Sequence, residues 1–207
     1  MQPLIINLTG KNVVIAGGGI IAARKAKTLV AQHANITFIS PYFCEEIKEL
    51  SKKMKYNLIN RKAQPHDLMR AFLVILATND RIVNKTLAMS LSPNQLVCVV
   101  DESAAGNVTF PAIIHRGHLQ VAVTTNGSSP KLTRKLKMEF EEHFDHSWEM
   151  YVEFLFQCRK KLKKMNISFE EKNQLLEEIL EERYRLDGSC QEEIHTRIQQ
   201  LEIRYGS

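Results

Sequence analysis

The residues in this 207-residue chain whose types and spacing point most directly to chemistry are Gly17-Gly18-Gly19-Ile20-Ile21-Ala22. Read as Gly17-x-Gly19-x-x-Ala22, they form the dinucleotide fingerprint with alanine in the third place. Gly17 permits a tight turn, and Gly19 lets the backbone approach a pyrophosphate. Ala22 allows close helix–strand packing while the helix N-terminus faces the negative charge. Ile20 and Ile21 open that helix and join Gly17 and Gly19 as expected cofactor contacts. A merely structural turn would use the same glycines, so the context decides. Here the run follows an apolar strand, opens a helix and lies inside a βαβ unit. The acidic residue expected to bind ribose at the end of the second strand is replaced by Ser40, followed by Pro41 and Tyr42. A serine can still hydrogen-bond a ribose hydroxyl, and no arginine stands nearby to hold a 2′-phosphate, which favours NAD over NADP. Ser40, Pro41, Tyr42 and, after the fourth strand, Thr78 complete the expected cofactor set.

Asp101 follows the fifth apolar run directly, on the sheet edge where ligands bind in open α/β folds. A turn former or helix cap would favour aspartate there too. Lys131, Arg134, Lys135 and Lys137 make a later helix basic, suited either to an anionic substrate or to plain solvation. His115 and His118 flank a turn, and His143 and His146 stand three apart. Neither pair has a third ligand at metal spacing, so no metal site is expected. His115 is kept as a secondary catalytic candidate.

These residues need a scaffold, and the pattern supplies one. Val13–Ala16, Asn35–Ser40, Tyr56–Asn60, Ala71–Ala77 and Leu96–Val100 read as strands. Helices are expected over 22–31, over 45–53, and from a cap at Asn79 or Asp80 to about Leu91. Such alternation implies a parallel, doubly wound Rossmann-type sheet. From Asn107 the pattern changes to a hairpin, Thr109 to His115 and His118 to Thr125, joined at Arg116-Gly117. A helix follows from Ser129-Pro130 to about Phe144. Beyond residue 146 three apolar stripes recur at helical spacing, led by Met150, Leu175 and Ile194, with Gly188 between the last two. They read as packing for a helical tail. The expected organisation is α/β: a cofactor domain at 1–106, a small α+β region at 107–146, and an all-helical domain at 147–207.

Composition excludes several classes. An apolar fraction of 44% with 25% charged residues is that of an ordinary soluble fold. No apolar run reaches a membrane span and no secretory leader opens the chain, so a cytoplasmic protein without membrane partners is expected. Cys44, Cys98, Cys158 and Cys190 are too scattered for a disulfide framework or a thiolate site. Residues 1–146 carry 18 Lys and Arg against 11 Asp and Glu, while the rest carry 10 against 12. The basic part attracts anions, but no aromatic-interleaved stripe points to nucleic acid.

Five segments together resemble the precorrin-2 dehydrogenase family, the Rossmann-type part of siroheme synthases. They are Val14–Gly19 with Arg24-Lys25-Ala26, Ala77–Asp80 with Val83-Asn84, Val99–Asp101, Phe110–Ile114 and Val121–Pro130, within residues 2–145. The resemblance implies NAD-dependent oxidation of precorrin-2, a tetrapyrrole, to sirohydrochlorin on the route to siroheme or cobalamin, in a homodimer with a helical tail. It gives residues 107–146 to dimerisation and substrate, and the apolar stripes of the tail to packing within it and in the dimer. It matches Asp101 to the family's proposed general base and sets Thr124 and Ser128 in the family's substrate loop, beside Lys131 and Arg134. It leaves open a bifunctional dehydrogenase and ferrochelatase, since some members insert ferrous iron. A non-catalytic NAD-binding sensor is the rival from another class.

Overall fold

Leu73–Leu76 is buried at every position, as a strand must be when helices cover both faces of its sheet. The computed structural model, which describes residues 1–205, has this segment as β4 of a five-stranded parallel sheet. The preceding elements are β1 (Asn12–Ala16), α1 (Ile20–Lys27), β2 (Asn35–Ile39), α2 (Glu45–Met54), β3 (Asn57–Ile59) and α3 (Pro65–Leu68). After β4 come α4 (Arg81–Met89) and β5 (Leu96–Val99). The order is β3-β2-β1-β4-β5, so chain direction across the sheet reverses between β1 and β4. In such folds that switch point is where a ligand crevice opens at the strands' C-terminal ends.

Alternating side chains supply both faces. Val13, Ile15, Phe38 and Ile75 pack with Ala22, Ala23 and Ala26 of α1 and Ile47 of α2. Val14, Ala16, Ile39, Val74 and Leu76 face the other way, toward Leu68 of α3 and Leu87 of α4. Three fully buried alanines let α1 lie close on the sheet; enlarging one would overpack the core at a cost of about 1–3 kcal/mol. The chain divides into two compact units after Phe110. Asn107 stays with the first because its side chain pairs with the β5 edge. Its Oδ1 accepts from Val97 N at 2.7 Å and its Nδ2 donates to Gln95 O at 2.7 Å.

The second unit begins with β6 (Ala112–Arg116) and β7 (Leu119–Val123), an antiparallel pair with Arg116 opposite Leu119. The two-residue turn places Gly117 at φ 57°, the left-handed region that tight hairpins require. The hairpin thus starts three residues later than the sequence pattern suggests, because Pro111 offers no N–H for a ladder. Ser129 caps α5 (Pro130–His143), its Oγ accepting from Leu132 N at 3.2 Å. Arg116 closes the other end of α5. Its guanidinium donates to the carbonyls of Phe144 (2.7 Å), Asp145 (3.2 Å) and Glu141 (3.3 Å), acceptors that a helix terminus leaves unmatched.

The tail comprises α6 (Ser147–Lys164), α7 (Phe169–Glu178), α8 (Arg183–Leu186) and α9 (Gly188–Tyr205). Its three apolar stripes converge on one cluster of Phe154, Cys158, Leu162, Leu175, Ile179, Ile194 and Ile198, so most of that surface is buried within the tail itself. Met150 is an exception and stays exposed. Gly188 opens the last helix rather than lying between two long ones. His195 meets Phe154 edge-on, with 5.3 Å between ring centroids, and its Nδ1 is buried without a partner among the described residues. Burial, and then the charge of Lys161, hold its pKa below the ordinary histidine value of 6.5. Between that lowered value and 6.5 the unfolded chain binds the proton more readily than the folded one. Tail stability is therefore expected to fall as pH drops through 6.5 toward the lowered value, and to be level above it. His195→Phe should flatten this acid slope in a pH series of thermal melts; an unchanged slope would assign it to other groups.

Candidate functional site

At the end of β1 the chain must turn sharply into α1, and the three glycines divide that task. Gly17 N is bonded to Ile39 O at 3.0 Å, and Gly17 takes φ 136° with its α-carbon against the carbonyl of Ala77. A Cβ there would overlap that carbonyl, and the backbone conformation itself is one only glycine adopts readily. Gly18 packs beneath the loop that leads into α2. A Cβ would fall on the carbonyl oxygen of Tyr42, while Gly18 O accepts from Cys44 N at 2.8 Å. Gly19 is different in kind. It is extended, with φ −93° and ψ −174°, and nothing lies within 4 Å of the place its Cβ would occupy.

That open side faces a helix start with no side-chain cap and no acidic residue in its first turn. First-turn N–H groups have no intrahelical acceptor, and together with the helix dipole they attract an anion. The corner therefore fits the pyrophosphate of a dinucleotide, which backbone N–H groups at Gly19, Ile20 and Ile21 would hold. Ile20, Ile21 and Tyr42 are all exposed beside it. Ser40 is half-buried, with its Oγ next to Gly18 and accepting from Tyr42 N at the long distance of 3.5 Å. The hydroxyl hydrogen is not engaged by that contact and can serve a ribose oxygen.

Across the switch point, Asp80 caps α4 by accepting from Ile82 N at 2.9 Å and Val83 N at 3.1 Å. One turn later Asn84, only 1% exposed, joins two strand ends. Its Oδ1 accepts from Thr78 Oγ1 at 2.7 Å and from Thr78 N at 3.2 Å. Its Nδ2 donates to Thr78 O and to Asp101 Oδ1, both at 3.2 Å. The other carboxylate oxygen of Asp101 lies 3.6 Å from Arg81 Nε, and the Asp101 side chain keeps 25% of its surface exposed. A carboxylate held at one oxygen and open at the other can take up a proton from a bound molecule.

The structure brings Gly17, Gly19, Ile20, Ile21, Ser40, Pro41, Tyr42, Thr78 and Asp101 to the C-terminal edge of one sheet. His115, Thr124, Ser128, Lys131 and Arg134 belong to the second unit. His115 is exposed on β6 opposite Gln120. Thr124 Oγ1 accepts from Asn126 N at 3.1 Å and so shapes the loop that carries the exposed Ser128. Lys131, Arg134, Lys135, Met138, Glu139 and Glu142 line a shallow groove of about 340 Å³. Lys135 and Lys137 pair with Glu139 and Glu141 one turn on, which leaves Lys131 and Arg134 as the cationic start of α5. His118 stacks on Phe156 with 4.4 Å between centroids and pairs with Glu153 at 3.2 Å. His143 meets Phe144 edge-on.

Gly18, Asn84 and Arg116 stand in segments that the sequence reading quotes, yet it gives none of them a role of its own. Asn84 did carry a signal, since it shares the buried face of α4 with Leu87, where an apolar residue would be expected.

A parallel sheet with a glycine corner at its switch point and a carboxylate two strands away defines a Rossmann-type dinucleotide-binding protein. A family model described as putative NAD(P)-binding matches residues 4–112. One described as sirohaem biosynthesis protein central matches 116–143, and one described as SirC C-terminal domain matches 148–194. The precorrin-2 dehydrogenase of Priestia megaterium is 35% identical over 202 residues, which are 98% of each chain. That of Bacillus subtilis (strain 168) is 42% identical over 161 residues, 78% of this chain and 99% of its own. The solved structure of "SirC, precorrin-2 dehydrogenase" superposes with a TM-score of 0.87 at 34% identity, covering 97% of this chain and all of that one. The chain belongs to the precorrin-2 dehydrogenase family.

Proposed function

We propose that this protein oxidises precorrin-2 to sirohydrochlorin with NAD, in the synthesis of siroheme. The observation that carries the reading is the pairing of an open glycine corner with the half-open carboxylate of Asp101 on one sheet edge, in a chain that aligns with precorrin-2 dehydrogenases over nearly its whole length. Bound NAD supplies the hydride acceptor. Gly19, Ile20 and Ile21 hold the pyrophosphate through backbone N–H groups, Ser40 offers its hydroxyl to a ribose, and Pro41, Tyr42 and Thr78 border the crevice. Asp101 takes the proton that leaves the substrate as hydride is lost, so two hydrogens depart as one hydride and one proton. Lys131 and Arg134 receive substrate carboxylates, Thr124 and Ser128 form the adjoining loop, and His115 is an auxiliary acid–base group.

The same reading assigns dimerisation to residues 107–146. Every residue of α5 keeps some exposure in one chain, and Leu132 and Met138 on it are exposed. A second copy of this chain is the partner that a helix so uncovered suits. A cytoplasmic location accords with four cysteines too scattered along the chain for a disulfide framework, of which Cys98 and Cys158 are buried, burial pushing the Cys158 thiol up to about 11. No helix among the described residues is long and apolar enough to cross a membrane.

Cofactor choice tests the crevice directly. With Ser40 in the ribose position and no arginine beside it, turnover of precorrin-2 should be faster with NAD than with NADP at equal concentration. Equal rates would remove Ser40 from the cofactor site.

A further inference from the structure

We propose that Asn84 is a positioning residue for the dehydrogenation, fixing the Asp101 carboxylate relative to the cofactor crevice by bonding it and the Thr78 backbone at once. This rests on the reading of Asp101 as the base. The geometry is specific. A primary amide has two N–H donors and an oxygen with two acceptor sites. Asn84 uses all of them, the donors on Thr78 O and Asp101 Oδ1 and the acceptors on Thr78 N and Thr78 Oγ1. The side chain is thereby immobilised, and its orientation is set by Thr78, which presents both an N–H and a carbonyl to it. Buried polar groups with every partner in place fix geometry, whereas a half-satisfied one is costly. Thr78 in turn follows Ala77, whose carbonyl Gly17 packs against. The glycine corner and the carboxylate are therefore linked through Ala77, Thr78 and Asn84.

The remaining group on Asp101 is weaker. Arg81 approaches Oδ2 at 3.6 Å with 81% of its side chain exposed, so solvent screens it and its hold on the carboxylate is loose. Asn84, which bonds Oδ1 at 3.2 Å from a buried and fully satisfied amide, is then the contact that sets the orientation of the carboxylate. Displacing a catalytic group by about 1 Å can cost about 10²-fold in rate, so a change at a residue that touches neither substrate nor cofactor can be large.

The test is a swap. Asn84→Asp keeps the shape and the acceptor for Thr78 N but sets a second carboxylate 3.2 Å from Asp101 Oδ1. Its kcat should fall by about 10²-fold while NAD still binds and KM changes little. The double variant Asn84→Asp with Asp101→Asn restores a donor–acceptor pair between the two positions, so its melting temperature should recover above that of Asn84→Asp alone. Its turnover should nevertheless be no higher than that of Asp101→Asn. A structural strut would behave otherwise. Recovery of turnover in the swapped pair, or an equal loss from Asn84→Asp in both backgrounds, would overturn the proposal. Should Asn84→Asp not fold, Asn84→Ser compared in the same two backgrounds must show a loss only where Asp101 is present. Undiminished turnover in Asp101→Asn alone would instead remove the base reading, and this proposal with it.

Discussion

Asp101→Asn should lower anaerobic turnover of precorrin-2 by about 10²–10⁴-fold, the usual contribution of a positioned general base. The substitution is close to isosteric, and a carboxamide oxygen at position 101 can still accept from Asn84 Nδ2, as the carboxylate does now at 3.2 Å. The ion pair it removes is a loose one, 3.6 Å from an exposed arginine, and such pairs contribute about 0–1 kcal/mol. Fold and NAD affinity should therefore survive, so a loss in kcat would report chemistry. His115→Asn should cost less, since His115 is an exposed strand residue. The reverse ranking in steady-state assays would make His115 the base and leave Asp101 a turn former.

Gly19→Asp should abolish NAD binding and leave the fold intact or slightly firmer. The backbone at Gly19 is extended and its Cβ direction is open, so a side chain meets no atom. Aspartate is also among the preferred residues at a helix N-cap, the place Gly19 holds for α1. The same carboxylate would fill the pyrophosphate position and repel it. Gly18→Ala is the contrasting change, because its methyl group would fall on the Tyr42 carbonyl and force the loop before α2 to move. That variant should lose stability first and binding only as a consequence. Thermal melts beside NAD titrations separate the two. Unaltered NAD affinity in a folded Gly19→Asp protein would place the cofactor elsewhere.

The contrast between those glycines shows what was legible in the sequence. The fingerprint spacing gave reasons for Gly17, Gly19 and Ala22, but Gly18 is constrained by the Tyr42 carbonyl, a neighbour 24 residues away that no local pattern contains. Strands buried on both faces were readable because each is an unbroken apolar run, as in Leu73–Leu76. α3 was not, since Pro65-His66-Asp67-Leu68 buries only Leu68 and four residues cannot display a helical period. An ion pair with the loop just before it holds it instead. Arg61 grips Asp67 at 2.7 and 2.6 Å, and this hydrogen-bonded charge holds the Asp67 carboxyl down to about 2. Asp101 was readable as a residue at a strand end, yet the link that Asn84 makes between it and Thr78 emerges only when two strand ends and a helix are brought together.

One measurement bears on the central claim most directly. The purified protein is incubated anaerobically with precorrin-2 and NAD, and NADH and sirohydrochlorin are followed together by their absorbance. The proposed reaction predicts that both appear at the same rate and in equal amounts, and that neither appears with the Gly19→Asp protein. Tight NAD binding without NADH or sirohydrochlorin would contradict it and identify the glycine corner as the ligand switch of a sensor.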